Sequence, residues 1–304
     1  MMFRSAHKRL LALAGSALSL LLCACSYGAY YLQFTQDSPD ERASSITSLT
    51  DDDVPNIGTE SRYSFVVIAD PHFGASKSRS DDRFLAWFAS QLAAEDTTLR
   101  PRFMANVGDT LNNGLDEEAD DYEAFCNKVR QAAADSPLAD TDFKIYTVLG
   151  NHDLYNNGWS VWKKRVYPHT SYYTFSVQAG SSEAFSFYFL DSGNGSLGDS
   201  QLNNLIKNLQ ADPRPKIVFS HYAVYAGDIL YFTTQDTMER NLLIDAYAKN
   251  NVKYVFEGHD HPDHLYSFPT FSERAVPSLL YKSACCLVTV DEETATVTSQ
   301  KIEF

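Results

Sequence analysis

The chain presents carboxylate, imidazole and carboxamide side chains in five short fragments. In order they are Asp70-Pro71-His72, Gly108-Asp109, Gly150-Asn151-His152-Asp153, Ser220-His221 and Gly258-His259-Asp260-His261. Taken singly, each is a common turn, and Asp-x-His or Gly-Asp recurs by chance in many proteins. Taken together, they hold five of the eight histidines. Imidazole nitrogens and hard oxygens without a thiolate suit Zn, Fe or Mn better than Ca. The glycines at 108, 150 and 258 allow sharp backbone turns, so that neighbouring side chains can project into one crevice.

Such fragments need elements to position them. From residue 62 the sequence alternates β-branched and aromatic apolar runs with helical patterns, as strand-helix-strand units do. The runs predict strands over 65–69, 103–107, 144–149, 172–177, 185–190, 216–219 and 252–256, with further strand over 279–290 and 295–302. Phe84, Leu85, Phe88 and Leu92 share one helical face, and Leu202, Leu205, Ile206 and Leu209 another. Asp236 with Glu239 forms a capping-box pattern ahead of Leu242, Leu243 and Ile244. Asp70, Asp109, Asn151, His221 and His259 each fall within three residues of the C-terminal end of a predicted strand. Ligands of open α/β sheets bind outside those carboxyl ends, so five segments converge on one crevice.

The ordered set resembles the calcineurin-like metallophosphoesterases, whose pattern is Asp-x-His, Gly-Asp, Gly-Asn-His-Asp or -Glu, His, and Gly-His-x-His. Every element is present without substitution, and the match spans residues 62–304. The resemblance implies an α/β fold: a four-layer αββα sandwich of two mixed sheets flanked by helices, with a dinuclear metal site at the C-terminal edge of the strands. It assigns Asp70, His72 and His261 to one metal and Asn151, His221 and His259 to the other, with Asp109 bridging. A bridging carboxylate suits the roughly 3.5–4 Å separation of two-metal sites, whose shared hydroxide attacks phosphorus in line. By the same resemblance His152 faces the leaving group and protonates it, with Asp153 orienting its ring.

One departure narrows the resemblance. Purple acid phosphatases place a tyrosine ligand three residues after the Gly-Asp aspartate, where this chain has Asn112, so an Fe(III)–tyrosinate site is not expected. Segments 172–175, 189–193 and 197–202 still look like those of that group and its bacterial relatives. His169 and His264 match no ligand of the pattern and are read as loop residues. Tyr222, Tyr225, Tyr231, Trp159 and Trp162 lie next to site loops, where they could stack on a base or sugar or simply pack.

Residues 1–25 are set apart from this domain. Arg4, His7, Lys8 and Arg9 precede an apolar run to Leu22 and the small stretch Cys23-Ala24-Cys25, which is the layout of an export signal. The run is shorter than the roughly 20 apolar residues of a membrane span. Its end resembles a bacterial lipobox with Cys25 as the lipidated residue, although Cys23 stands where a small non-thiol residue is usual. An ordinary secretory signal or an uncleaved anchor are the alternatives. Residues 26–61 carry clustered Ser, Thr, Asp and Pro without hydrophobic periodicity and read as a flexible acidic tether. The expected location is the envelope of a bacterial cell, with the protein exported and anchored to a membrane through its lipid.

The whole chain has a net charge of −14, which becomes about −17 once the signal's Arg4, Lys8 and Arg9 are gone. That charge repels polyanions and argues against long nucleic acid as a partner. Cys126, Cys285 and Cys286 are an odd set with two adjacent, so no disulfide framework is expected. The leading reading is metal-dependent hydrolysis of a phosphomonoester or a small phosphodiester. A nuclease, a phospholipid-acting phosphodiesterase and a non-catalytic, metal-stabilised binding lipoprotein are its rivals. The last should have lost a ligand or His152, and this chain has lost none.

Overall fold

The computed structural model describes residues 38–179, 184–225, 233–234 and 236–304. The signal, Cys25 and the first part of the proposed tether lie outside the described residues. The strands are β1 (Thr47–Ser48), β2 (Arg62–Ile68), β3 (Pro101–Asn106), β4 (Ile145–Thr147), β5 (Tyr173–Val177) and β6 (Phe185–Phe189). They continue with β7 (Lys216–Phe219), β8 (Val252–Glu257), β9 (His264–Ser267), β10 (Ser272–Ala275), β11 (Ala284–Asp291) and β12 (Thr296–Glu303). The helices are α1 (Pro39–Arg42), α2 (Asp81–Leu92), α3 (Asp116–Ala134), α4 (Gly158–Arg165), α5 (Gly198–Ala211), α6 (Thr237–Lys249) and α7 (Leu279–Lys282).

Two mixed sheets form, in the orders β1-β5-β6-β7-β8-β10-β9 and β12-β11-β2-β3-β4. Period-2 alternation decides which residues face which layer. Phe65 and Phe103 point from the five-stranded sheet into the gap and meet Phe175, Phe187 and Phe219 of the other sheet at ring separations of 5.5–6.0 Å. Val218 and Val255 point the other way, onto Leu205 and Leu209 of α5 and Leu243 and Tyr247 of α6. On the outer face of the five-stranded sheet, Phe84 of α2 packs on Phe125 of α3, and Tyr122 of α3 bonds Thr147 of β4 at 2.9 Å. The expected four-layer sandwich is therefore the observed one.

Three expectations are corrected. Residues 279–290 are not one strand: the Ser278 hydroxyl caps α7 by accepting from Tyr281 N, and Ser283 turns left-handed (φ 50°) before β11 begins. The capping box at Asp236 is half formed. Asp236 accepts from the amides of Met238 and Glu239, but the Glu239 carboxylate instead receives Ser196 Oγ and Leu197 N, both at 2.7 Å.

The third correction concerns the tether, whose described part from Ser38 onward belongs to the domain. β1 pairs in parallel with β5, and Ile57 is buried in the core between the sheets. Asp40 accepts from Ser200 N at 2.7 Å, at the start of α5. Arg42 makes a two-pronged bond to Asp191 (2.8 and 2.9 Å), with both side chains almost wholly buried. The segment is polar because its partners are polar, and composition alone could not reveal them. Removing one member of a buried ion pair strands the other charge, so Arg42→Ala is expected to cost about 3–5 kcal/mol. Chemical denaturation would read that loss, and an unchanged midpoint would rule the strap out as a stabilising element.

Candidate metal centre and active site

All five predicted fragments meet at the C-terminal edge of the strands, in the loops after β2, β3, β4, β7 and β8. The ligand atoms of Asp70, His72 and His261 lie within 4.8 Å of one another, as do those of Asp109, His221 and His259. Asp109 stands between the two groups: its Oδ1 is 3.3 Å from His221 Nε2, and its Oδ2 is 3.7 Å from His72 Nε2. His72 and His261 bring their Nε2 atoms to 3.3 Å, and His261 Nε2 is 3.7 Å from Asp70. Asn151 joins the second group, with its Oδ1 3.1 Å from His221 Nε2.

The local backbone is bent to achieve this. Asp70, His72, Asp109, His259 and His261 all occupy the left-handed region, with φ between 42° and 72°. Non-glycine residues are uncommon there and persist where surrounding structure over-determines them. Gly108 has φ +100°, and a Cβ on it would come within 2.5 Å of His221 Nδ1. A side chain at 108 would therefore displace the imidazole that reaches Asp109.

Hydrogen bonds fix the rings. His221 Nδ1 donates to the Val107 carbonyl (2.8 Å), so its Nε2 faces Asp109 and Asn151. A carbonyl behind a ligating histidine sets tautomer and orientation in this way. His152 is half-buried. Its backbone N donates to Asp109 Oδ1 and its ring Nδ1 to the Asn112 carbonyl, both at 2.8 Å.

That carbonyl, not Asp153, orients the His152 ring, which corrects the role expected of Asp153. The Asp153 carboxylate is fully buried and accepts from Leu111 N (2.7 Å) and Gly150 N (2.8 Å), tying the loop after β3 to the loop after β4. It is a positioning residue. Replacing it by Ala leaves two buried N–H groups unsatisfied, at about 1–3 kcal/mol each. Asp153→Ala is thus expected to lose stability and metal affinity together, whereas loss of activity alone would contradict this role.

Electrostatics favour cations at this place. Burial lowers His72 and His261 to about 4 and His259 to about 3, so all three are neutral donors near pH 7. Burial would raise Asp109, but the imidazoles of His221, His72 and His152 hold it well below the usual carboxylate range. Burial would likewise lower His221, yet Asp109 and Asp70 raise it to about 9. Among the described residues, two carboxylates buried to within 1% exposure face no Lys or Arg, and the one cation beside them is His221. Two buried carboxylates against one imidazolium leave a costly excess of negative charge, and metal coordination is one of the few remedies. The donor set therefore fits metal ions.

Other expected residues are dispersed. His264 begins β9 and pairs with Asp260 (3.1 Å), while His169 Nδ1 lies 3.2 Å from the Lys163 carbonyl. Trp162 is wholly buried, and Trp159 stacks on it. Tyr225 is exposed and packs on Tyr266, and Tyr231 lies outside the described residues. Tyr222 does reach the centre, its ring 4.0 Å from that of His259. Two aromatic neighbours were not anticipated: Tyr155, 4.6 Å from the His152 ring, and Tyr281, stacked on His261 at 4.7 Å. Tyr281 was hidden inside a presumed strand.

A two-sheet sandwich carrying this donor set along its strand ends defines a metal-dependent hydrolase of phosphate esters. Residues 63–263 match the family model described as calcineurin-like phosphoesterase, and the chain belongs to that family. Among solved structures it is similar to a dimetal phosphatase of Danio rerio, with 12% identity and a TM-score of 0.52 over 78% of this chain and 98% of that one. It is also similar to GAP50, the anchor in the inner membrane complex of Plasmodium, with 14% identity and a TM-score of 0.56 over 80% and 84% of the two chains. At such identities the likeness concerns the fold. The chain matches no curated protein sequence.

Proposed function

We propose that the chain hydrolyses a small phosphate ester, a monoester or a small diester, with two cations as cofactors. Asp70, His72 and His261 would hold one ion, Asn151, His221 and His259 the other, and Asp109 both. The observation that carries this reading is Asp109, whose two oxygens face His221 on one side and His72 on the other. Ions bound here supply charge that activates water near neutral pH and offsets the negative phosphoryl oxygens. The carbonyl of Asn112 holds His152 with its Nδ1 protonated, so Nε2 is the atom left to exchange a proton with the departing oxygen.

The test compares 4-nitrophenyl phosphate with bis-4-nitrophenyl phosphate under Mn, Zn, Fe and Mg, alongside metal analysis of the purified protein. Turnover of at least one ester with about two ions per chain is expected. Inactivity on both esters with every metal would overturn the hydrolase reading, and one ion per chain would overturn the pairing.

The order of basic, apolar and small residues over 1–25 supports a second proposal, that the protein is exported and lipid-anchored at Cys25 in a bacterial envelope. Cys25→Ala is then expected to shift the protein from the membrane pellet to the soluble fraction. Unchanged sedimentation would refute the anchor.

A further inference from the structure

The short helix α7 turns a tyrosine back over the metal-ligand cluster. Ser278 Oγ donates to the Asp70 carbonyl (2.9 Å) and accepts from Tyr281 N (3.1 Å), which fixes α7 relative to the loop that carries Asp70 and His72. The Tyr281 ring then lies parallel to His261 (4.7 Å, 15°) and edge-on to His72 (5.6 Å, 73°). It is 40% exposed, so it borders the opening and is not part of the core.

Lys77 comes from the loop after β2 and places its ammonium 4.5 Å from the Tyr281 ring centroid. The same ring thus meets His261 and the Lys77 ammonium, at 4.7 and 4.5 Å from its centroid. Lys77 is exposed, and no carboxylate pairs with it among the described residues. The acid on the same loop has another partner, since Asp81 binds Arg79. In a chain of net charge −14, a cation without an acidic partner beside a phosphate-ester site is conspicuous. A cation–π contact holds a flexible lysine near one place without neutralising it.

We propose that Lys77, steadied by Tyr281, is a subsite for a second anionic group of the substrate. Among the described residues Lys77 meets the Tyr281 ring and none of the candidate ligand side chains, which places it beside the cluster and not in it. A carboxylate or second phosphate at the other end of the leaving group can reach it. The substrate class is thus a phosphate ester bearing a further negative charge, and the residue that selects it is Lys77. This inference rests on the hydrolase reading above.

The experiment measures kcat/KM for two matched pairs: 3-phosphoglycerate against glycerol 3-phosphate, and fructose 1,6-bisphosphate against fructose 6-phosphate. The wild type should favour the more anionic member of at least one pair about fivefold, the upper range for an exposed ion pair. The preference should shrink as salt is raised. Lys77→Ala should bring the ratio near one, Lys77→Arg should retain it, and Tyr281→Ala should weaken it. An equal ratio in wild type and Lys77→Ala, with turnover of 4-nitrophenyl phosphate intact in the wild type, overturns this subsite alone. Inactivity of the wild type on every ester overturns the subsite and the hydrolase reading together.

Discussion

Asp109→Asn is expected to reduce kcat/KM by about a thousandfold or more and to lower the bound metal. Metal charge contributes several kcal/mol to stabilising a phosphoryl transition state, and each 1.36 kcal/mol is a factor of ten. Asparagine keeps the size of the side chain but offers one neutral oxygen where Asp109 presents two charged ones. It could still accept from His152 N, as Oδ1 does now at 2.8 Å, so the loop can stay in place. What disappears is the negative charge facing both His221 and His72. The measurements are steady-state kinetics, metal content and circular dichroism on one preparation. Near wild-type turnover with full metal content would remove Asp109 from the centre of the site.

His152→Ala should separate chemistry from metal binding. A positioned acid or base contributes about 10²–10⁴-fold, and the drop in kcat should be larger for an alkyl leaving group than for 4-nitrophenolate, which departs without a proton. Metal content should stay at the wild-type value. This contrast matters because one His152 ring nitrogen also lies within 4.8 Å of ligand atoms of His72 and Asp109. A variant that loses an ion would make His152 a ligand, and an equal drop for both leaving groups would deny it proton transfer.

The fragments that converge on the site were legible because each occupies a few residues of fixed type at strand ends, and a short motif carries its own geometry. The strands were legible from their β-branched and aromatic apolar runs. What the sequence concealed depends on partners far away in the chain. Asp153 follows His152 directly, yet its carboxylate serves the amides of Leu111 and Gly150. Glu239 satisfies the spacing of a capping box while bonding Ser196 and Leu197 instead. The stretch from Ser38 lacks a hydrophobic period because it is held by scattered contacts: the β1–β5 pairing, the Asp40–Ser200 bond, the Arg42–Asp191 ion pair and buried Ile57. α3 went unassigned although Ala119, Tyr122, Cys126, Val129 and Ala133 line one buried face, since charged residues between them mask the pattern.

The Arg42 strap also bears on the order in which the domain can be completed. Its partner Asp191 lies 149 residues further along the chain, in the loop after β6. Until that loop exists, the arginine lacks this counter-charge and β1 has no edge to join, since β5 is its only sheet neighbour among the described residues. Synthesis delivers the strap early, but loop closure over such a span must wait for the central sheet. The stretch 38–48 therefore cannot dock before residues 173–200, which carry its partners, are in place. A domain cut to begin at residue 62 would keep every candidate metal ligand while leaving the Asp191 carboxylate buried without its arginine.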